Sequence, residues 1–341
     1  MLPHRSVTIQ GALRSRGPVL LALIAGAVLV GVLVNAFFVG GSGAAKPPAA
    51  PAAAPATATD QAATEAAPST AVTEAPAAQP TAGGLVYTEG ARKPIKPKLT
   101  AAAYIAIDAD TGEVLARKRD RRALPIASLT KVMTALLVIE AGELDRKIRV
   151  PRKATLVEPN REGLLSGRWY PRRLLLYSAL LESANDSAEA LAYGAARGDV
   201  DGFYARMNER ADAIGMTDTV YHSASGLEDE TNLSSARDQA ILARDALGNR
   251  TFARIVRTRR KVVDWPPPTY SKEWINHNQL LGTYEGAYGV KTGYTRKAGA
   301  CLLAAARRDG HSVIAVVLNS RNIWRDMPIL LDEAFARLDA A

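Results

Sequence analysis

A hydroxyl and an ammonium stand three residues apart in "IASLTKVMTALLVIEAG", at Ser128 and Lys131. After Lys131 the segment has the spacing of a buried helix, with Val132, Met133, Leu136, Leu137 and Ile139 recurring at intervals of three and four. On such a helix, positions i and i+3 are neighbours, so the Lys131 amine can reach the Ser128 oxygen. A serine hydroxyl is a poor nucleophile until a base takes its proton, and acyl transfer through serine needs such a pairing. Lysine is a base near pH 7 only when its environment depresses its pKa, by desolvation and by a second cation close by. The bland alternative is a serine N-cap followed by a solvated lysine.

Two later motifs bear on the choice. "SAN", Ser183 to Asn185, falls between the helical stretches "RRLLLYSALLE" and "DSAEALAYGAA", at a bend where Ser183 and Asn185 can point into one cleft. There Ser183 can relay a proton to a leaving amine, and Asn185 can hold a substrate amide. "KTG", Lys291 to Gly293, ends a predicted strand. Lys291 is a candidate for the second cation, and Lys291 with Thr292 can bind a carboxylate. Gly293 lets a substrate backbone lie close against the strand edge. The backbone N–H groups of Ser128 and Tyr294 would form an oxyanion hole, helped by the positive end of the helix that starts at Ser128. Each motif alone is weak; their order and local setting give them force.

The elements that must position these residues follow from periodicity. "AYIAIDADTGEVLARK" is expected to form two strands, Tyr104 to Asp108 and Glu113 to Arg117, joined by a tight Asp/Gly turn. Helical patterns cover Ser128 to Ala141, Arg172 to Leu181, Ser187 to Ala196, Val200 to Ile214 and Ser235 to Leu247. Strands return in "GAYGVKTGY", "AGACLLAAARR" and "HSVIAVVLNS", before a last amphipathic helix from about Arg325 to Leu338. Strands at both ends with helices between them imply an α/β fold: an antiparallel sheet assembled from the two termini, flanked by helices and carrying a mostly helical subdomain.

Upstream of this region the texture changes. Residues 1–18 hold Arg5, Arg14 and Arg16, and are expected to stay cytoplasmic. From Val19 to Val39 the only polar side chain is Asn35, and roughly 20 apolar residues suffice to cross a ~30 Å hydrocarbon layer. Residues 19–39 are therefore expected to be an uncleaved membrane anchor, with a cleavable signal peptide as the rival. Residues 43–84 are rich in Ala, Pro and Thr and lack aromatic residues, Leu and Ile up to Gly84, as a disordered, semi-rigid tether would. The catalytic domain is expected over 85–341, outside the cytoplasm.

The 341 residues carry a net charge of +9, much of it in the runs "RKRDRR" (Arg117 to Arg122) and "RTRRK" (Arg257 to Lys261). These runs interleave no aromatics and fit no nucleic-acid motif, so a solvated face or attraction to anionic cell-surface polymers is expected instead. The single cysteine, Cys301, lies in an apolar run and is expected to be buried; the four histidines have no metal-ligand spacing. No metal or other cofactor is expected.

The set S-x-x-K, S-x-N and K-T-G resembles that of penicillin-binding proteins and class A β-lactamases. With "AAAYIAIDADTGEVLARK", "IGMTDTVYHSASGLEDETNLSSARDQAILARDAL" and "GAYGVKTGYTRKAGACLLAAA", the region Leu85 to Ala341 is similar to the D-alanyl-D-alanine carboxypeptidases among the low-molecular-mass penicillin-binding proteins. The resemblance implies the penicillin-recognising transpeptidase fold. It also implies release of the terminal D-Ala from peptidoglycan stem peptides through an acyl-enzyme on Ser128, with β-lactams as covalent inhibitors. Two departures stand out: S-A-N where the family commonly has S-G-N, and a chain that stops soon after the last helix. Arg325, in "NSRNIWRDM", is a candidate to support the substrate carboxylate.

Three rival readings share some of these residues. A β-lactamase would need a deacylating Glu, usually in E-x-x-L-N, which "EDETNLSSA" does not fit; the chain is therefore expected to be labelled by penicillin rather than to destroy it. An endopeptidase acting on cross-links would use the same side chains. A tethered sensor or wall-binding module would not need Lys131 and Ser183 together.

Overall fold

The apolar runs from the two ends of the globular region pair with one another. The structure, a computed structural model, describes residues 84–227, 232–267 and 269–340. Numbering only the strands of the main sheet, these are β1 (Val86–Tyr87), β2 (Ala103–Asp108), β3 (Glu113–Lys118), β4 (Ala287–Thr295), β5 (Gly299–Arg308) and β6 (His311–Ser320). Their order is β1-β3-β2-β6-β5-β4. All neighbours are antiparallel except the two-residue β1, which runs parallel to β3 and departs from the all-antiparallel expectation. The β2–β3 turn is closed by Asp108, whose Oδ1 accepts from the N–H groups of Asp110 (2.7 Å) and Thr111 (3.0 Å).

Both faces of the sheet are covered, and the side-chain alternation of a strand sorts residues between them. On β5, Leu302, Ala304 and Ala306 join a cluster with Met327, Leu330, Leu331 and Phe335 of the C-terminal helix. Their neighbours Cys301, Leu303 and Ala305 face the helical subdomain. Strands buried on both faces read as continuous apolar runs rather than alternating ones, which is the texture of "CLLAAA". Cys301 is fully buried there, as expected.

Numbering only those of seven residues or more, the helices among the described residues are α1 (Lys131–Glu140), α2 (Arg172–Leu181), α3 (Asn185–Ala195), α4 (Val200–Ala213), α5 (Ala236–Gly248), α6 (Arg250–Val256) and α7 (Ile323–Asp339). α1 is apolar around most of its circumference and forms the centre of the helical subdomain, with Val132, Met133, Ala135, Leu136 and Val138 all buried. α5 starts where Ser235 Oγ accepts from the Asp238 N–H at 3.1 Å, an N-cap that satisfies one orphan donor. α6 and the hairpin of Arg260–Asp264 with Ser271–Ile275 were not expected from sequence. A seven-residue helix is too short to show periodicity, and the hairpin buries only Val263 and Trp274 among charged residues.

The expectations for 1–18, 19–39 and, apart from Gly84, for 43–84 fall outside the described residues. Among the described residues, no helix is long and apolar enough to cross a membrane.

Candidate active site

Ser128 does not sit in the first turn of an α-helix, as expected, but in a 3₁₀ turn, Ala127–Thr130, that runs into α1. Ala127, just before it, has φ +48, a region strained for any residue with a Cβ. Two glycines allow neighbouring segments to pack against this turn. A Cβ on Gly226 (φ +79) would lie 2.0 Å from the Ala127 carbonyl oxygen. One on Gly293 would lie 3.0 Å from the Ile126 oxygen and 3.1 Å from the Ser128 nitrogen. Gly293 thus admits the nucleophile's own turn, a role beyond the substrate contact expected of it.

Lys131 is 1% exposed. Its Nζ lies 2.8 Å from Ser128 Oγ and donates to Asn185 Oδ1 and to the Ser225 carbonyl oxygen, both at 2.7 Å. Three acceptors match the three hydrogens of an ammonium. A neutral amine keeps the bonds to Asn185 and Ser225 and turns its lone pair to Ser128, whose hydroxyl then donates to it. Burial, reinforced by the nearby Lys291 ammonium, holds the Lys131 amine well below the usual lysine range. The geometry therefore favours the form that can accept a proton.

The SAN bend joins α2 to α3. Ser183 has φ +61, a second strained residue, and lines the same cavity as Ser128. Ala184 has an ordinary extended conformation (φ −64, ψ 124) and is buried, so its methyl creates no backbone strain. Asn185 is less free for substrate than expected: Oδ1 is taken by Lys131, and Nδ2 donates to the Glu158 carbonyl oxygen at 3.0 Å. One amide hydrogen remains.

Lys291 is 1% exposed and does not line the cavity; its Nζ donates to the Thr292 carbonyl oxygen at 2.9 Å. Burial pushes its pKa down to about 7, opposed by the Glu182 carboxylate. Its geometry fits the expected second cation beside Lys131 and not the expected carboxylate contact. Thr292, Gly293 and Tyr294 do line the cavity, which holds about 470 Å³.

Arg325 lies elsewhere. Its guanidinium donates to Asp326 Oδ1 at 3.1 Å and faces the Lys98 carbonyl oxygen, while Arg321, four residues earlier, lines the cavity. The start of α7 explains this: Asn322 caps it by accepting from the Arg325 N–H, so Arg321 precedes the helix. Sequence reasoning also missed His277, which lines the cavity and whose Nε2 lies 3.4 Å from Glu182 Oε2. Ser225 and Gly226 could have been suspected from the small-residue run "SASG".

The fold, with Ser128, Ser183, Asn185 and the K-T-G strand gathered around one cavity, is that of the penicillin-recognising serine hydrolases. A family model described as D-alanyl-D-alanine carboxypeptidase, peptidase family S11, matches residues 90–322. The chain is 33% identical over 248 residues to D-alanyl-D-alanine carboxypeptidase DacB2 of Mycobacterium tuberculosis, covering 70% of this chain and 84% of that one. A D-alanyl-D-alanine endopeptidase of Escherichia coli is 29% identical over 241 residues, with 68% and 76% covered. The crystal structure of a Streptomyces DD-transpeptidase superposes with a TM-score of 0.67 at 32% identity, covering 71% of this chain and 99% of that one. The chain belongs to the D-alanyl-D-alanine carboxypeptidase family.

Proposed function

We propose that the chain is a serine-type D-Ala-D-Ala carboxypeptidase that removes the terminal D-Ala from peptidoglycan stem peptides and is acylated by β-lactams. The observation that carries this reading is the buried Lys131 amine, set between Ser128 Oγ, Asn185 Oδ1 and the Ser225 carbonyl. Lys131 takes the Ser128 proton as Oγ attacks the carbonyl carbon of the penultimate D-Ala. The oxyanion turns toward the backbone N–H groups of Ser128 and Tyr294. As the C–N bond breaks, the proton passes from Lys131 through Ser183 to the departing amine of D-Ala. Water then attacks the ester, Lys131 takes its proton, and that proton returns to Ser128. Thr292 and Arg321, both lining the cavity, suit the terminal carboxylate.

A second reading, endopeptidase action on cross-links, uses the same residues and is favoured by the relative of that name. Incubation with a pentapeptide and with a cross-linked dimer separates the two. Free D-Ala from the pentapeptide alone supports the carboxypeptidase; cleavage of the dimer alone replaces it with the endopeptidase.

We also propose that residues 19–39 anchor the chain in the cell membrane, that 43–84 form a spacer, and that 85–341 act outside the cytoplasm. Hydropathy and the preceding arginines support this. Protease added to intact spheroplasts should remove the catalytic domain; full protection would overturn the arrangement.

A further inference from the structure

Of residues 147–169 only Pro159 and Asn160 line the catalytic cavity, and the proposed chemistry uses none of the charges that this segment carries. Those charges are six cations, Lys147, Arg149, Arg152, Lys153, Arg161 and Arg168, against two carboxylates. All six cations are exposed, and none forms an ion pair with a described residue. Of the carboxylates, Glu162 is buried and paired with Lys272, which leaves Glu158. The same segment exposes three large apolar side chains: Leu156 is 67% exposed, Trp169 58% and Leu165 45%. We propose that this face docks on an anionic lipid surface.

The backbone gathers these groups. Lys147–Arg149 pairs antiparallel with Trp169–Pro171, and Arg149 stands opposite Trp169. Strand alternation buries Ile148 and Tyr170 and turns Lys147, Arg149 and Trp169 outward on one face. Leu165 and Arg168 close the turn that enters this ribbon, the Arg168 N–H donating to the Leu165 carbonyl oxygen at 3.2 Å. The Val150 N–H donates to the Arg168 carbonyl oxygen at 2.8 Å, so the short helix Arg152–Thr155 leaves from the same end of the ribbon. Arg161 folds back onto that helix beside Leu156, its Nη1 donating to the Thr155 carbonyl oxygen at 3.2 Å. Arg149 and Arg168 also donate to carbonyl oxygens, those of Gly167 and Pro267. Carbonyl partners orient a guanidinium without neutralising it.

Cations with a single exposed carboxylate among them call for an anionic partner, and the apolar side chains select which. Leucine and tryptophan gain by leaving water for the boundary of the acyl chains, whereas a polar polysaccharide offers the two leucines little. Long Lys and Arg stems let the charged heads reach phosphates while the apolar groups enter. Tryptophan suits the headgroup level. The segment also touches the site: Asn185 donates through Nδ2 to the Glu158 carbonyl oxygen and through its N–H to that of Asn160. Docking would therefore hold the catalytic cavity beside the bilayer. The proposal depends neither on Ser128 as the nucleophile nor on residues 19–39 as an anchor.

The test is tryptophan quenching in the full-length chain, mixed with vesicles of phosphatidylglycerol brominated on its acyl chains and, for comparison, of brominated phosphatidylcholine. Subtracting the signal of Trp169→Phe isolates Trp169, so insertion of residues 19–39 alone cannot produce the readout. Quenching of Trp169 is expected in phosphatidylglycerol, and about threefold weaker or more in phosphatidylcholine and in Lys147→Gln/Arg152→Gln/Lys153→Gln. Those three side chains make no hydrogen bond or ion pair with a described residue, so the variant reads docking without a folding defect. Arg92→Gln/Lys93→Gln/Lys96→Gln removes the same charge from an exposed segment elsewhere and should leave the quenching unchanged. No quenching of Trp169 in phosphatidylglycerol, equal quenching in both lipids, or equal loss in the control would overturn the proposal. A Trp169 signal that responds to polygalacturonate and not to phosphatidylglycerol would overturn it too, assigning the face to an acidic polysaccharide.

Discussion

The Lys131 amine finds one of its partners outside all three sequence motifs: Nζ donates to the Ser225 carbonyl oxygen at 2.7 Å. The same short loop packs Gly226 against the Ala127 carbonyl, so one segment holds both the proposed base and the strained turn of the nucleophile. Asn232 ties that loop down, its Nδ2 donating to the Ser223 carbonyl oxygen (3.1 Å) and to Thr130 Oγ1 (3.2 Å).

Glycine substitutions should separate folding from chemistry. Gly226→Ala places a Cβ 2.0 Å from backbone at φ +79 and should lower stability by about 1–3 kcal/mol or more. Gly293→Ala meets backbone only at 3.0–3.1 Å, so the fold should survive while acylation slows about tenfold or more as the Ser128 turn shifts. Thermal melts and acylation by a fluorescent penicillin read the two effects. A Gly293→Ala variant that acylates at the wild-type rate would contradict the packing argument.

The acid limb of acylation should depend on Lys291. Lys131 must be unprotonated, so the rate falls as pH drops through its lowered pKa. In Lys291→Met the opposing cation is gone, the Lys131 pKa rises, and the limb should move to higher pH. Acylation rates between pH 5 and 10 in both proteins test this; a limb that stays in place or moves to lower pH counts against it.

Stability should carry the same signature. The folded pKa of Lys291, about 7, lies below the ordinary value of 10.5. Between those values the unfolded chain binds more protons than the folded one, so stability rises with pH across that window. Below pH 7 both states are protonated and the full desolvation cost is present. Urea unfolding at pH 7 and pH 10 should therefore show wild type gaining on Lys291→Met at the higher pH. An unchanged difference would mean that Lys291 is solvated.

The two arginines near the start of α7 should part company. Arg321→Ala removes a cavity-lining charge and should raise KM for a carboxylate-ended peptide by about tenfold, one lost charge-assisted contact. Arg325→Ala loses contacts to Lys98 and Asp326 and should leave KM unchanged. Steady-state D-Ala release decides; equal KM shifts would put both residues at the substrate.

Much of this arrangement is legible in the amino-acid sequence. The three motifs name Ser128, Ser183, Asn185 and Thr292 through hydrogen-bonding types at fixed local settings, and periodicity alone gives α2, at Arg172–Leu181, without error. What sequence could not reach are facts of three-dimensional approach. Lys291 looks like a substrate contact until its burial is seen, and Ser225 contributes only a backbone carbonyl, which every residue has. Arg325 and Arg321 differ by one helix cap. The hairpin over Arg260–Asp264 and Ser271–Ile275 hides behind charge, because each strand buries a single side chain.

The most direct test of the central claim is the intact mass of the full-length chain after incubation with benzylpenicillin, measured beside Ser128→Ala. The account predicts one stable penicilloyl adduct on the wild type and none on the folded variant. An adduct on both, or none on a folded wild type, would contradict Ser128 as the nucleophile.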